Sequence, residues 1–282
     1  MSGCCGTNAD KNVRTSVREY YGRIAEKGVS SSACGCGCGG QDNDAVARAA
    51  GYGDEELACL PEGANLGLSC GNPNALASLK PGEVVLDLGA GGGFDVFIAG
   101  PKVGPAGRVI GVDMTPEMLE RARKNARNGG FENVEFRLGE IENLPVADNS
   151  IDVVISNCVI NLSPEKGRVF REAYRVLRPG GRIMVSDIVL LAPLPAFLKS
   201  TASLVACVGG AALKKEYLKA IEGAGFAGIR ELEESVYPID SLIDLPEVKE
   251  AIGAGNISID QAKGYAKNVV SMKVMAVKQP SD

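Results

Sequence analysis

The chain carries nine cysteines and no histidine, which sharply limits the chemistry it can perform. Histidine is the usual general base near neutral pH and the commonest metal ligand. Any site here must therefore run on carboxylates, amides, tyrosines or thiols. Three cysteines stand in distinctive surroundings: Cys70 in Leu66-Gly67-Leu68-Ser69-Cys70-Gly71-Asn72-Pro73, Cys158 in Ser156-Asn157-Cys158-Val159-Ile160-Asn161-Leu162, and Cys207 in Leu204-Val205-Ala206-Cys207-Val208-Gly209-Gly210-Ala211. A free cysteine taken singly is more often a small buried hydrophobe than a ligand. In a reducing compartment, however, a set of free thiols points to metal binding or catalysis before disulfides. Cys34, Cys36 and Cys38 punctuate a Ser/Gly tract, Cys4 and Cys5 form a pair near the first residue, and Cys59 is expected in the core.

A second group of residues is set for ligand binding. Asp87-Leu88-Gly89-Ala90-Gly91-Gly92-Gly93 follows an apolar run and precedes a helical one. Glycines there permit a tight turn and the approach of a ligand to the backbone, although a plain strand-to-helix turn would use the same residues. Asp113 comes about 20 residues later, where a carboxylate can accept from two ribose hydroxyls or can serve the start of the next helix at Thr115-Pro116. Gly139-Glu140-Ile141-Glu142-Asn143-Leu144-Pro145 offers a polar side chain and backbone groups at the edge of a base.

These residues need a scaffold, and the hydrophobic pattern supplies one from about residue 75. Strands are expected at Glu83 to Leu88, Arg108 to Asp113, Val134 to Leu138, Ile151 to Ser156 and Arg182 to Ser186. Helices are expected at Gly93 to Pro101, Pro116 to Asn128 and Pro164 to Leu177. Continuous apolar strands such as Val84-Val85-Leu86 and Val153-Val154-Ile155 suit a sheet covered on both faces. Ile229 to Tyr237 and Val270 to Val277 alternate like strands around a helical insert near Asp240 to Lys267. The reading is an α/β fold: a doubly wound, mostly parallel, seven-stranded sheet with an antiparallel C-terminal strand pair. Cys158 then falls at the carboxyl end of strand four, where such sheets hold ligands. Arg175-Val176-Leu177-Arg178-Pro179-Gly180-Gly181 reads as a structural helix exit.

Residues 1–74 form an irregular Cys-rich N-terminal arm, 75–187 the ligand-binding core, and 188–282 a C-terminal part that completes the sheet and covers the substrate site. The arm contains a helix around Asn12 to Lys27, with Val13, Val17, Tyr20, Tyr21 and Ile24 on one side, a short helix near Asp44 to Ala50, and a loop through Gly63 to Pro73. A net charge of −5 with mixed signs gives no footprint for nucleic acid or anionic lipid. Leu204 to Leu213 falls far short of the roughly 20 residues that span a bilayer. The N-terminus lacks the basic and apolar regions of a secretion signal, so the expected location is cytoplasmic and the expected partner a small molecule.

The set D-L-G-x-G-x-G, V-D-M, G-x-x-E-x-L-P, S-x-x-D-V-V-I-S-N and L-R-P-G-G, over residues 75 to about 187, resembles the class I S-adenosylmethionine methyltransferases. That resemblance implies a Rossmann-like fold with S-adenosylmethionine as cofactor. It also implies that Gly89, Gly91 and Gly93 cradle the methionine part, Asp87 binds the cofactor as well, Asp113 and Met114 hold the ribose, Ile141 and Glu142 flank the adenine, and Asn157 lies beside the sulfonium.

Over about residues 12 to 225, the segments Asn157-Cys158-Val159-Ile160-Asn161-Leu162 and Cys207-Val208-Gly209-Gly210-Ala211, with Tyr20-Tyr21-Gly22, resemble arsenite S-adenosylmethionine methyltransferases. The resemblance implies methyl transfer to trivalent arsenic, with Cys70, Cys158 and Cys207 as its ligands. Cys34, or else Cys36 or Cys38, would be the extra thiol used in disulfide steps of turnover. Trivalent arsenic is soft and thiophilic, and its lone pair carries no proton, so a chain without histidine suits it. Tyr20 or Tyr21 could set an aromatic face over the sulfonium. Some family members carry tyrosine two residues before the cysteine matching Cys70, where this chain has Leu68. The implied partners are arsenite or its thiol conjugates and a thiol reductant such as thioredoxin or glutathione. Two other readings use the same residues: a methyltransferase with a carbon or oxygen acceptor such as a quinone precursor, for which the three cysteines would be dispensable, and a thiol-based metalloid-sequestering protein built on Cys34, Cys36 and Cys38.

Overall fold

The computed structural model describes residues 8–27, 43–69, 71–73, 77–195, 208–236, 253 and 258–280. Cys70, Cys207, Cys34, Cys36 and Cys38 therefore lie outside the described residues, as do Cys4 and Cys5. The elements are α1 (Asn8–Lys27), α2 (Asn43–Ala49), α3 (Asp54–Ala58), β1 (Val84–Leu88), α4 (Phe94–Val103), β2 (Arg108–Asp113), α5 (Pro116–Gly129), β3 (Val134–Leu138), β4 (Ile151–Asn157), a 3-10 turn (Ile160–Leu162), α6 (Lys166–Val176), β5 (Leu177–Leu190), α7 (Lys214–Gly223), β6 (Ala227–Val236), α8 (Ile259–Ala266) and β7 (Val269–Val277).

The seven strands make one sheet in the order β3-β2-β1-β4-β5-β7-β6. β1 to β5 pair in parallel, while β7 runs antiparallel to both β5 and β6. This is the expected doubly wound architecture with its antiparallel finish. Strand order reverses between β1 and β4, so the carboxyl ends of those two strands open a crevice. Gly89 and Cys158 are the first residues beyond them. The central strands are apolar on both faces because helices cover both: Val85, Leu86, Leu88, Val153, Val154 and Ile155 are fully buried. Two apolar clusters result, one per face of the sheet.

Local signals account for the ends of α5 and the start of α8. Thr115 precedes Pro116 at the first turn of α5, and Gly130 closes that helix in the left-handed conformation, as proline and glycine favour at those ends. α8 opens with a capping box, Ser258 accepting from the Gln261 amide and Gln261 accepting in return.

Three features depart from the expectation. α3 and α7 were not foreseen as helices. Strand five runs from Leu177 to Leu190 instead of stopping at Ser186, since Asp187 is buried and the ladder to β7 continues to Leu190↔Val269. Cys59, expected in the core, is exposed. It caps the short acidic helix α3, none of whose residues is buried, and its thiol donates to the carbonyls of Glu55 and Glu56. Of the helical insert expected at Asp240 to Lys267, α8 is the part within the described residues.

Candidate active site

The glycine loop leaves β1 and folds at once onto β2. The amides of Gly89 and Ala90 both donate to the Val112 carbonyl, at 2.8 and 3.0 Å. Gly89 has φ +68°, and a Cβ there would lie 2.3 Å from a methyl of Val159, the residue after Cys158. The loop and the turn that follows β4 thus touch without room for a side chain. Gly91, at φ +50°, is different, because a Cβ there would meet nothing nearer than the Met118 sulfur at 4.0 Å. Its free side faces a pocket. Gly93 lies behind the loop, with Phe97 and Phe136 filling the space beside it, and Gly92 takes its place in the pocket wall.

Asp113 binds the loop to the next helix. Its carboxylate accepts from the Gly91 amide and from the Thr115 amide, each at 2.8 Å. Burial raises its pKa, and those amide donors oppose the rise. Both of its expected uses are compatible with this geometry, since each carboxylate oxygen has a second lone pair. The next wall is Met114, which also packs on the apolar cluster around Cys158.

The crevice holds about 1120 Å³ of empty space, its open mouth included, enough for a cofactor-sized ligand (about 300–1,000 Å³). Asp87, Gly89, Gly91, Asp113, Met114, Ile141, Glu142, Asn157 and Cys158 all face it. The structure therefore brings together eight of the nine residues expected for the cofactor, along with one of the three central thiols.

Charge in the pocket is lopsided. Asp87, Asp95 and Asp113 line the end beside the glycine loop, and burial holds the Asp87 carboxyl well above its usual range, helped by the negative charges of Asp95 and Asp113. Among the described lining residues the single cationic side chain is Arg14 of α1, and it is engaged elsewhere. Arg14 donates to Glu165 at 2.8 Å and to Glu142 at 3.1 Å. Glu142 also accepts from the Ser163 hydroxyl at 2.6 Å. The residue expected to flank an adenine is thus also the anchor of α1. Sequence reasoning missed Arg14, because its partners lie more than a hundred residues away.

Asp95 and Tyr52 were missed as well. Buried Tyr52 donates to Asp95 at 2.7 Å, and burial with the Asp95 charge holds its phenol in the protonated form. Asn157 directs its amide protons at three acceptors: the Gly71 carbonyl (2.7 Å), the Tyr52 oxygen (2.9 Å) and Asp95 (3.1 Å). The end of β4 is thereby tied to α4 and to the segment after Cys70. Of the two adjacent tyrosines in α1, Tyr21 faces the pocket, and Tyr20 packs edge-on against it among Ile24, Leu66 and Met118.

S-adenosylmethionine fits what is present. Its α-ammonium and sulfonium would meet a wall that includes the carboxyl groups of Asp87, Asp95 and Asp113, its ribose hydroxyls can donate to Asp113, and Gly91 leaves space where a Cβ would intrude.

Comparison with known proteins agrees. The family model described as a methyltransferase domain matches residues 79–225. The arsenite methyltransferase of Halobacterium salinarum is 49% identical over 228 residues, covering 78% of this chain and 58% of that protein. The arsenite methyltransferase of Homo sapiens is 32% identical over 255 residues, covering 86% and 65%. The chain thus spans roughly three fifths of the length of these curated relatives. Among solved structures, an arsenic(III) S-adenosylmethionine methyltransferase from Chlamydomonas reinhardtii superposes with a TM-score of 0.60 at 35% identity, covering 83% of this chain and 73% of that one. With the glycine loop, the strand-end aspartate and the seven-stranded order all in place, this chain belongs to the methyltransferase domain family.

Proposed function

We propose that the chain transfers the methyl group of S-adenosylmethionine to trivalent arsenic held by the thiolates of Cys70, Cys158 and Cys207. One observation carries this reading: Cys158 faces the cofactor pocket at the end of β4, and the sequence neighbours of the other two cysteines converge on it. Ser69 lines the same pocket and Gly71 is bonded to Asn157, while Val208 packs on the apolar cluster that contains Cys158. The resemblance to arsenite methyltransferases on both sequence and structure supports the same substrate.

In this mechanism each thiol exchanges for an arsenic-bound hydroxide, forming an As–S bond, and the thiol proton leaves with that hydroxide as water. Three such exchanges leave the arsenic lone pair directed at the cofactor. When bound, the cofactor supplies an electrophilic methyl carbon and accepts the electrons of the broken C–S bond on its sulfur. The chain orients the arsenic and keeps water out. Val17 and Tyr21 pack in the apolar cluster that contains Cys158, and Leu68 lines the same pocket. No group has to act as base at the attacking atom. Methylation takes two electrons from arsenic, so a further round requires a thiol reductant, and the tract containing Cys34 is assigned to that step.

The test is product formation from arsenite, S-adenosylmethionine and excess thiol, with the arsenic species separated, in wild type, Cys158→Ser and Cys207→Ser. Methylated arsenicals from wild type alone support the assignment. Tight cofactor binding without arsenic methylation overturns it in favour of a carbon or oxygen acceptor.

A further inference from the structure

Cys158 has a strained backbone. Its φ is +56°, in the left-handed region that L-residues other than glycine rarely occupy. Such a conformation persists only where the surroundings over-determine it. Here the restraints come from β5 and the turn beyond the cysteine. The Cys158 amide donates to the Ser186 carbonyl at 2.8 Å. Three residues on, the Asn161 side chain donates to the Asp187 carboxylate at 2.8 Å and to the Ile188 carbonyl at 2.5 Å. The other Asp187 oxygen accepts from the Tyr217 hydroxyl of α7 at 2.9 Å, and Lys166 of α6 holds the carbonyls of Asn161 and Ser163. Asp187, Asn161 and Tyr217 are all essentially inaccessible to solvent.

We propose that Asp187 is a positioning residue for Cys158: acting through Asn161 it straps the turn after β4 to β5 and keeps the thiol directed into the cofactor pocket. A buried carboxylate in a core is costly unless its partners require it. Asp187 lies at the pocket end of the sheet, directly after the residue that accepts the Cys158 amide. Its consequence for catalysis rests on the reading of Cys158 as an arsenic ligand; its consequence for the thiol does not. The groups facing Asp187 are Tyr217 from α7, Lys166 from α6 and Asn161 from the turn, with Cys158 near enough to Tyr217 to act on the phenol electrostatically.

The experiment compares wild type with Asp187→Ala, Asp187→Asn and Asn161→Ala. Asparagine at 187 can still accept from Asn161 and from the Ile188 amide, while its own amide group donates to Tyr217, so it preserves the strap without the charge. The readouts are alkylation of Cys158 by iodoacetamide, followed by peptide mass mapping with Cys158→Ser as the peptide control, and the kcat and KM of arsenite methylation. In Asp187→Ala and Asn161→Ala, Cys158 labelling should quicken and kcat should fall, each by about tenfold, the scale of one lost hydrogen bond to a charged group. KM for S-adenosylmethionine should stay within about twofold, as expected when ground-state cofactor binding is untouched. Asp187→Asn should restore both readouts. Unchanged labelling in both alanine variants overturns the proposal, as does an asparagine variant no better than alanine. If wild type yields no methylated arsenic, the proposed reaction fails, and the labelling still decides the role of Asp187.

Discussion

Asn157 donates to the carbonyl of Gly71 across 2.7 Å, joining the residue before one cysteine of the proposed arsenic site to the residue after another. The same amide group reaches Tyr52 and Asp95, so hydrogen bonds tie the end of β4 to the first turn of α4 and to the chain at residue 71. Asn157→Ala should cut kcat for arsenite methylation by about tenfold or more, since a misplaced ligand costs more than the hydrogen bond that held it. The melting temperature should fall by only a few degrees. Steady-state kinetics and a thermal melt check this, and a variant with wild-type kcat would show that the link is dispensable.

The glycine loop separates packing from ligand contact. Alanine at Gly91 meets only the left-handed backbone cost, about 1–2 kcal/mol, because the nearest atom to the added carbon is the Met118 sulfur at 4.0 Å, an ordinary contact. Alanine at Gly89 must also displace Val159 from 2.3 Å. Gly91→Ala should therefore stay folded and lose cofactor affinity by about tenfold or more through intrusion into the pocket. Gly89→Ala should lower stability markedly and quicken labelling at Cys158, whose neighbour it pushes. Calorimetric titration with S-adenosylhomocysteine and a melt distinguish the two. Equal cofactor affinity in wild type and Gly91→Ala would remove Gly91 from the cradle.

The order of the elements was legible because it is written in short-range signals. Apolar runs, proline starts and glycine stops gave the alternation from β1 to α6 and the antiparallel end. The pocket wall was legible too, since Asp87 and Asp113 fall in the last residues of β1 and β2 and Ile141 comes soon after β3, which puts all three at one edge of the sheet. What stayed hidden depends on long-range partners. Arg14 looks like one more surface charge until Glu142 and Glu165 are placed beside it. Asp187 looks like a strand terminus until Asn161 and Tyr217 satisfy it. Cys59 was misjudged because residue type favours burial, whereas its position beyond a short acidic helix faces water.

Asp187 should make stability fall as the solution is made more alkaline, contrary to ordinary carboxylates. Burial lifts its pKa in the folded protein to about 7, against the opposing hydrogen bond from Tyr217. The folded state therefore holds a proton that the unfolded chain has released between the unfolded value of 3.8 and about 7. Over that window the native state binds more protons, so this group's contribution is fully present below it and is lost as pH rises through the folded value. Denaturant titrations across the window, compared with Asp187→Asn, isolate the contribution. The difference between the two proteins should shift in favour of the asparagine variant as pH rises, and parallel curves would refute the linkage.

The carboxylates beside the glycine loop predict a pH dependence of the opposite sign for cofactor binding. Asp87 is buried facing Asp95 and Asp113, and its carboxyl is held well above the usual range. In the free protein that cluster retains a proton which a cationic ligand would expel. Affinity for S-adenosylmethionine should thus weaken from mildly alkaline to mildly acidic pH, with proton release visible in buffers of different ionisation enthalpy. The apparent value belongs to the cluster and not to one residue. Asp87→Asn should flatten the profile; a flat profile in wild type would mean that the cluster binds the cofactor already ionised.

Arg14 couples α1 to the pocket wall at Glu142 and to Glu165. Burial opposes its charge, but Glu165 and Glu142 more than compensate and hold the guanidinium firmly protonated. Glu142 is almost fully buried, so Arg14→Ala leaves a carboxylate whose remaining side-chain donor is Ser163, a change worth about 2–3 kcal/mol. That energy is stored in the contact of α1 with the rest of the fold. The variant should show early protease cleavage within α1 and a raised KM for S-adenosylmethionine, because α1 and Glu142 both form the pocket wall. Arg14→Met combined with Glu142→Gln should recover stability, since neither buried charge is then left alone. It should not recover the KM if Glu142 itself contacts the adenine. Recovery of both would reduce Glu142 to a latch for α1, and recovery of neither would place the role of Arg14 with Glu165.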